Sequence, residues 1–89
     1  MKFPVFTTQF KKDYKLSQKR GKDTNKLKAI MSELTKENPL PSSNKDHPLS
    51  GNYKNCRECH IEPDWLLIYK VAETDILFLR TGSHSDLFK

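Results

Sequence analysis

The clearest secondary-structure pattern in this chain is that of residues 52–82, NYKNCRECHIEPDWLLIYKVAETDILFLRTG. It contains three β-like runs, which are NYKNCRECHI, WLLIYKV and DILFLRTG. The turn-forming segments EPD and AET separate these runs. The stretch therefore predicts three consecutive β-strands joined by short turns.

A loop precedes this stretch. Residues 38–51 read NPLPSSNKDHPLSG and combine three prolines with serine, asparagine and glycine, a composition typical of loops. Functional side chains are often carried on a loop that a rigid scaffold positions. This makes the polar residues of the segment, His47 among them, candidates for function.

The N-terminal part predicts a short strand and then a helix. The run KFPVF is apolar and β-prone, and Pro4 indicates an edge strand or the start of a strand. Thr7 or Thr8 can cap the helix that follows. Within TTQFKKDYKLSQKR, Phe10 and Tyr14 lie one turn apart while lysines occupy a different face. This pattern predicts an amphipathic helix.

A second helix follows after the short link GKD. Gly21 ends the first helix, and Asp23 can cap the second, DTNKLKAIMSELTKEN. Its apolar residues have the spacing of a core-facing stripe; they are Leu27, Ile30, Met31 and Leu34. The short link predicts an antiparallel helical hairpin. The whole order, β-α-α-β-β-β, predicts one α+β domain over residues 1–89, with the hairpin packed on a sheet.

The composition limits the class of protein. Hydrophobic residues make up 35% of the 89 positions, which suffices for one modest core. No run approaches the roughly 20 apolar residues that cross a bilayer. The segment MKFPVFTTQFKK lacks the apolar region and the cleavage site of a signal peptide. We therefore expect no membrane association, a cytoplasmic location and two free thiols.

Positive charge is concentrated in the first part of the chain. The net charge is +5 overall. Residues 1–38 hold ten basic and four acidic residues, a net charge of +6, whereas residues 39–89 hold six and seven, a net charge of −1. One hypothesis is that the basic part holds a polyanion and the other part acts on it. A solvated lysine-rich surface is the alternative.

The pentapeptide CRECH, residues 56–60, matches the attachment pattern of c-type haem, and its Cys-x-x-Cys matches zinc and redox motifs. In a strand, however, successive side chains alternate between faces, so Cys56 and Cys59 point in opposite directions, roughly 10 Å apart. That geometry suits neither a disulfide nor a tight metal site. We therefore expect no haem and no metal here. The informative residues are Glu58 and His60, which share a face.

The three histidines occur at loop and strand-end positions, where catalytic groups tend to lie. His47 is in the loop, His60 ends a strand four residues before Asp64, and His84 follows the last strand. Histidines with a carboxylate suffice for general acid–base chemistry near neutral pH. They also suffice for a His/Asp metal site, and a simple hydrogen-bonding role in the loop is open for His47.

Other side chains suit contact with a nucleic acid. Lys45, Arg57 and Arg80 could stabilise phosphate charge, and Trp65 and Phe88 could stack on bases. Three of these have a structural alternative. Trp65 opens an apolar strand and suits the core. Arg80 could form a plain salt bridge, and Phe88 could pack its ring into the core.

The combined motifs resemble a known family. KDHPLSGNYKNCRECHIEPDWLLIY (45–69) and LFLRTGSHSDLF (77–88) are similar to the YafQ branch of the RelE-type toxins of bacterial toxin–antitoxin systems. QFKKDYKLSQKRGKDTNKLKAIM (9–31) is similar to the basic helical hairpin of that family. The resemblance thus covers essentially the whole chain.

This resemblance implies a RelE-like, microbial-ribonuclease-type α+β fold. It implies a metal-independent endoribonuclease, without cofactor, that cleaves mRNA in the ribosomal A site. It further implies a cognate antitoxin that silences the toxin, and a toxin–antitoxin complex that represses its own operon by binding operator DNA.

The family's active-site positions fall on His47, His60, Asp64 and His84, with His84 as proton donor. Expected RNA-binding residues are Lys45, Trp65, Arg80 and Phe88. The family strand often carries aspartate where this chain has Glu58, so Glu58 is left outside the expected site. The cysteines match nothing functional in the family.

The resulting hypothesis is in-line attack by a ribose 2′-OH on its 3′-phosphate. His84 is the expected acid and His60 the expected base, with His47 and Asp64 as alternatives. Docking on ribosomal RNA is expected from the basic residues Lys11, Lys12, Lys15, Lys19, Arg20, Lys22, Lys26 and Lys28. Two other functions stay open, a non-catalytic RNA- or antitoxin-binding module and a DNA-binding autoregulator acting with its antitoxin.

Overall fold

A computed structural model describes residues 1–88 of the protein, and five strands in that range form a sheet. They are β1 (Phe3–Phe6), β2 (His47–Pro48), β3 (Arg57–Glu62), β4 (Trp65–Val71) and β5 (Asp75–Gly82). Their order across the sheet is β1-β5-β4-β3-β2. The β1–β5 pair is parallel and the other pairs are antiparallel. The predicted mainly antiparallel sheet is confirmed.

Two long helices form where the sequence pattern predicts them: α1 (Thr8–Lys19) and α2 (Thr24–Thr35). The Thr7 hydroxyl accepts the backbone N–H of Phe10, and the Asp23 carboxylate accepts that of Asn25, so both helices begin with a side-chain cap. Gly21, with φ of 76°, takes the left-handed conformation that ends α1. Among residues 1–88, no helix has the length and apolar character needed to cross a membrane.

The core lies on both faces of the sheet. Along β4, Trp65, Leu67 and Tyr69 pack towards the helices, while Leu66 and Ile68 pack on the opposite face. All five are buried, which explains why the apolar run of this strand is uninterrupted. We call the side that carries Leu66 and Ile68 the site face.

The strand alternation expected for CRECH is confirmed. Cys59 packs on the helix side of the sheet and Cys56 on the site face, and both thiols are free. Burial raises the pKa of the Cys59 thiol to about 12, so this group is unreactive near neutral pH.

Three local predictions were wrong. The strand expected from residue 52 begins only at Arg57, because Gly51–Tyr53 form a 3-10 turn and Asn55 adopts a left-handed φ of 70°. The loop contains the two-residue strand β2. A short helix, α3 (His84–Leu87), follows β5. Elements this short show no periodicity that a sequence pattern can detect.

Candidate active site

The three histidines lie together on the site face. Glu58 and His60 stand opposite Ile68 and Leu66 on the neighbouring strand, which places their side chains on that face. The ring centroids of His47 and His60 are 6.5 Å apart, and those of His60 and His84 are 5.8 Å apart. The fold thus brings together imidazoles from β2, β3 and α3.

One end of the cluster is the pair of His84 and Asp64. The Asp64 carboxylate, in the β3–β4 turn, lies 2.6 Å from His84 Nδ1 and also accepts the backbone N–H of His84 at 2.9 Å. These two bonds hold the pKa of Asp64 below its usual value, the backbone bond contributing most. With Nδ1 engaged, Nε2 of His84 is the nitrogen left to exchange a proton with a substrate.

The helix that carries His84 is fixed at its start. The Ser83 hydroxyl accepts the Asp86 N–H, and the Asp86 carboxylate accepts the Ser83 N–H, a reciprocal capping box. Arg20, the residue that caps the C-terminus of α1, donates to the same carboxylate at 2.6 Å. A side chain at Gly82 would meet Asp86 at 3.0 Å, so glycine allows this close approach.

The other end of the cluster is organised by Glu58. Its Oε2 lies 3.0 Å from His47 Nε2 and 4.0 Å from His60 Nε2. His47 Nδ1 contacts the carbonyl oxygen of Lys45 at 2.7 Å. Both nitrogens of His47 therefore face acceptors, an arrangement that is fully satisfied only when both carry hydrogen. Both ring nitrogens of His47 are thus engaged, whereas His60 Nε2 lies 4.0 Å from its nearest carboxylate oxygen.

Glu58 is the residue that sequence reasoning left outside the expected site. Its side chain is only 7% exposed, and among residues 1–88 its buried Oε1 has no hydrogen-bond partner. Burying a carboxylate oxygen in this way is costly, and such costs are typical of functional sites. The signal was available, because strand alternation placed Glu58 on the same face as His60.

Trp65 requires a correction. It was expected to bind RNA, but it is 1% exposed and packs in the core beneath the helices. Its Nε1–H donates to the Thr81 hydroxyl at 2.9 Å. A side chain that is buried and hydrogen-bonded in this way cannot stack on a base, so the core alternative is the correct one.

Arg80 lies on the site face but is held in a salt bridge. Its Nε and Nη2 contact the buried Asp13 carboxylate of α1 at 2.7 and 3.3 Å. The same carboxylate accepts the Thr81 N–H. This part of β5 lies beyond its pairing with β1, which ends at Phe6 opposite Phe78. The salt-bridge alternative is confirmed for Nε and Nη2, which leaves Nη1 as the guanidinium nitrogen outside that bridge.

Lys45 and Phe88 lie at the rim of the histidine cluster. Phe88 is 42% exposed, with its ring centroid 6.5 Å from that of His84 and 5.7 Å from that of Tyr53. Its exposure argues against the core-packing alternative. Lys45 is exposed in a left-handed turn and lines, with His60 and neighbouring residues, a cleft of about 280 Å³.

The residues described do not form a metal centre. Within residues 1–88, no group of three or more His, Cys, Asp or Glu side chains has the geometry to hold a metal ion. The histidine nitrogens instead face carboxylates and a carbonyl oxygen, as acid–base chemistry requires.

Comparison with known proteins gives consistent results. The family model described as bacterial toxin of type II toxin–antitoxin system, YafQ, matches residues 3–89. The mRNA interferase toxin YafQ of Escherichia coli K12 is 51% identical over 84 residues, which cover 93% of this chain and 91% of the relative.

Solved structures agree with the fold. The crystal structure of the E. coli DinJ–YafQ toxin–antitoxin complex contains a chain with a TM-score of 0.92 and 48% identity, covering 99% of this chain and 98% of that one. A metal-bound toxin from Helicobacter pylori has a TM-score of 0.92 and 41% identity, covering 99% of this chain and 100% of that one. These similarities confirm the predicted α+β toxin fold.

Proposed function

The chain belongs to the YafQ family of toxins of bacterial type II toxin–antitoxin systems and is an mRNA interferase, and we propose that it cuts mRNA by acid–base catalysis between His84 and His60. The observation that carries this proposal is the pair of neighbouring imidazoles, His60 and His84, whose ring centroids are 5.8 Å apart, with His84 oriented by Asp64. Two imidazoles at that separation can address opposite sides of one phosphodiester.

The proposed reaction is an intramolecular transesterification. Neutral His60 removes the proton of the ribose 2′-OH, whose oxygen attacks the adjacent 3′-phosphate. Protonated His84 donates its Nε2 proton to the departing 5′-oxygen. The products are a 2′,3′-cyclic phosphate and a free 5′-OH. Each of the two proton transfers contributes about 10²- to 10⁴-fold to the rate.

The remaining polar groups stabilise charge on the phosphate. His47, whose ring nitrogens face Glu58 and the Lys45 carbonyl oxygen, is the proposed third imidazole next to the reacting group. Lys45 and Nη1 of Arg80 supply further positive charge. Asp64 orients His84 through its hydrogen bond to Nδ1, and Phe88 offers an exposed ring for base stacking.

Fewer basic residues are available to dock on ribosomal RNA than the eight that the sequence suggested. Lys22 and Lys26 form ion pairs with Glu62, and Arg20 is paired with Asp86. Within residues 1–88, the basic residues of the two long helices without an ion pair are Lys11, Lys12, Lys15, Lys19 and Lys28. If these contact phosphates, ribosome binding weakens steeply as salt rises. A flat salt response would rule the surface out.

The proposed partners are mRNA on the ribosome and a cognate antitoxin that silences the toxin in the cytoplasm. The toxin–antitoxin complex is proposed to bind operator DNA. The alternatives are a non-catalytic binding module and a regulator that acts only with the antitoxin, and neither needs the paired imidazoles.

The deciding experiment is induction of the wild-type chain and of His84→Ala in a bacterium, with primer extension on a translated message. Glu73→Ala, an exposed change in the β4–β5 turn, is the matched control. We expect growth arrest and discrete in-frame cuts from the wild type and the control, and neither from His84→Ala.

Two outcomes would contradict the proposal. Equal cutting by the wild type and His84→Ala would exclude His84 as the acid. Absence of cuts from the wild type, with antitoxin binding intact, would favour a binding protein on a nuclease fold.

A further inference from the structure

The strand that carries His47 is so short that few backbone hydrogen bonds fix it to the sheet. β2 has two residues, His47 and Pro48, paired with Glu58 and Arg57. Proline has no backbone N–H, so the ladder lacks a donor at that position. Lys45, two residues before His47, turns the chain with a left-handed φ of 49°. Hydrogen bonds of the backbone alone therefore fix the His47 ring only weakly.

A side-chain anchor lies on the other face of the same segment. One oxygen of the Asp46 carboxylate, Oδ1, accepts the Tyr69 hydroxyl at 2.7 Å and Arg57 Nε at 3.1 Å. Tyr69 is 1% exposed and sits in the central strand β4, where it stands opposite Arg57. The anchor is therefore attached to the most rigid part of the sheet.

The opposite orientations of neighbouring residues link this anchor to the active site. In an extended segment, Asp46 and His47 point to opposite faces. Fixing the Asp46 side chain on the helix side therefore fixes the rotation and register of His47 on the site face. A slip of one residue would turn His47 to the wrong face and break its 3.0 Å contact with Glu58.

We propose that Asp46, Tyr69 and Arg57 form a clamp that positions His47 beside the scissile phosphate. The three are positioning residues, because none of them reaches the histidine cluster. This inference rests on the proposed function for the role it gives His47. The geometry of the clamp itself is independent of that function.

The sharpest test is Tyr69→Phe, which removes one hydroxyl and keeps the buried ring. The matched control is Tyr14→Phe, since within residues 1–88 the Tyr14 hydroxyl has no hydrogen bond. Two readouts are required: the rate of single-turnover mRNA cleavage on programmed ribosomes, and the imidazole Hε1 resonances of the three histidines by NMR.

We expect Tyr69→Phe to shift or broaden the His47 resonance while that of His84 stays unchanged, and Tyr14→Phe to change neither. Cleavage should slow by about tenfold at saturating ribosomes, because a small misplacement of a catalytic group costs rate. The ribosome concentration for half-maximal rate should not change, since the clamp contacts no substrate.

A rescue series at Asp46 separates geometry from a general loss of structure. Asp46→Asn keeps an acceptor oxygen for Tyr69, so it should lose less rate than Asp46→Ala and retain the His47 resonance position. Equal losses in the two variants would overturn the clamp. So would a Tyr69→Phe protein that matches Tyr14→Phe in both readouts.

Failure of the clamp and failure of the proposed function give different results. If the wild type does not cleave mRNA, the proposed function fails, and with it the role of the clamp in cleavage. A moved His47 resonance with an unchanged cleavage rate would show that His47 is positioned but not needed. That result overturns the inference and leaves the roles of His60 and His84 intact.

Discussion

The two ends of the histidine cluster are held in contrasting ways. At one end, Asp64 and His84 are both more than half exposed and share a short hydrogen bond. At the other, Glu58 is buried against His47 and His60 and leaves one oxygen without a partner among residues 1–88. Water screens the first carboxylate and not the second. A carboxylate therefore orients histidines at both ends of the cluster. The free-energy cost of desolvating it is small at the exposed end and large at the buried end.

This contrast predicts the largest effect for Glu58→Gln. The substitution keeps the shape of the side chain and removes the charge that faces two imidazoles. We expect cleavage to slow by about a hundredfold, because His47 and His60 lose their shared partner. The free energy of unfolding should stay equal or rise by about 1 kcal/mol, since a poorly paired buried carboxylate is removed. Single-turnover cleavage and urea unfolding measure the two quantities.

An opposite result would be informative. If Glu58→Gln strongly destabilises the protein while the surviving folded fraction cleaves normally, Glu58 is a structural residue, and the buried oxygen has no functional significance.

Asp64→Asn tests the exposed end of the cluster in the same way. The amide oxygen can still accept the bonds from His84, and only the charge is lost. Exposed ion pairs contribute little because water screens them, so we expect only about a fivefold slower cleavage. The same single-turnover assay measures it. A loss as large as that of Glu58→Gln would mean that exposure does not distinguish the two ends.

The support of α3 predicts a pH effect. Arg20 and then the Ser83 N–H hold the pKa of Asp86 well below its usual value. A lowered pKa in the folded state adds stability above the pKa of the unfolded aspartate, about 3.9, and that stability is lost as pH falls below this value. We therefore expect the free energy of unfolding to fall less between about pH 4 and pH 2 in Asp86→Asn than in the wild type.

Urea unfolding at a series of pH values measures this difference. Asp75→Asn is the control, since within residues 1–88 its carboxylate forms no ion pair. If the free energy of unfolding falls equally with decreasing pH in the wild type and in Asp86→Asn, the role given to the Arg20 contact is contradicted.

We expect metal removal to change the rate of mRNA cleavage least of all. Protein treated with a chelator, and then separated from it, should cut mRNA on ribosomes at the wild-type rate, because the proposed proton transfers use side chains alone. Elemental analysis checks that the metal is gone. Activity lost on stripping and restored by zinc or copper would overturn the metal-independent mechanism and relate this protein to the metal-bound toxin of H. pylori.

Strand and helix periodicity predicted much of this architecture. Alternation along the predicted strand separated Cys56 from Cys59 and placed Glu58 with His60. The runs WLLIYKV and DILFLRTG correspond residue for residue to β4 and β5. Repeating patterns succeed because each such element buries a face along its whole length.

The parts that sequence reasoning missed have no repeating pattern. β2 and α3 are two and four residues long. The contacts of Arg80 with Asp13 and of Tyr69 with Asp46 join residues far apart in sequence. They depend on the packing of α1 and the loop on the finished sheet, which the local sequence does not encode.

The burial of Trp65 has a practical consequence for spectroscopy. It is the only tryptophan in the sequence, and its indole is enclosed in the core with its N–H bonded to Thr81. Its emission should therefore report on the integrity of the fold, shifting to longer wavelength when the sheet opens to water. Since the ring lies away from the site face, the same fluorescence should be insensitive to bound RNA. One intrinsic signal can thus follow the stability of every variant, even with substrate present.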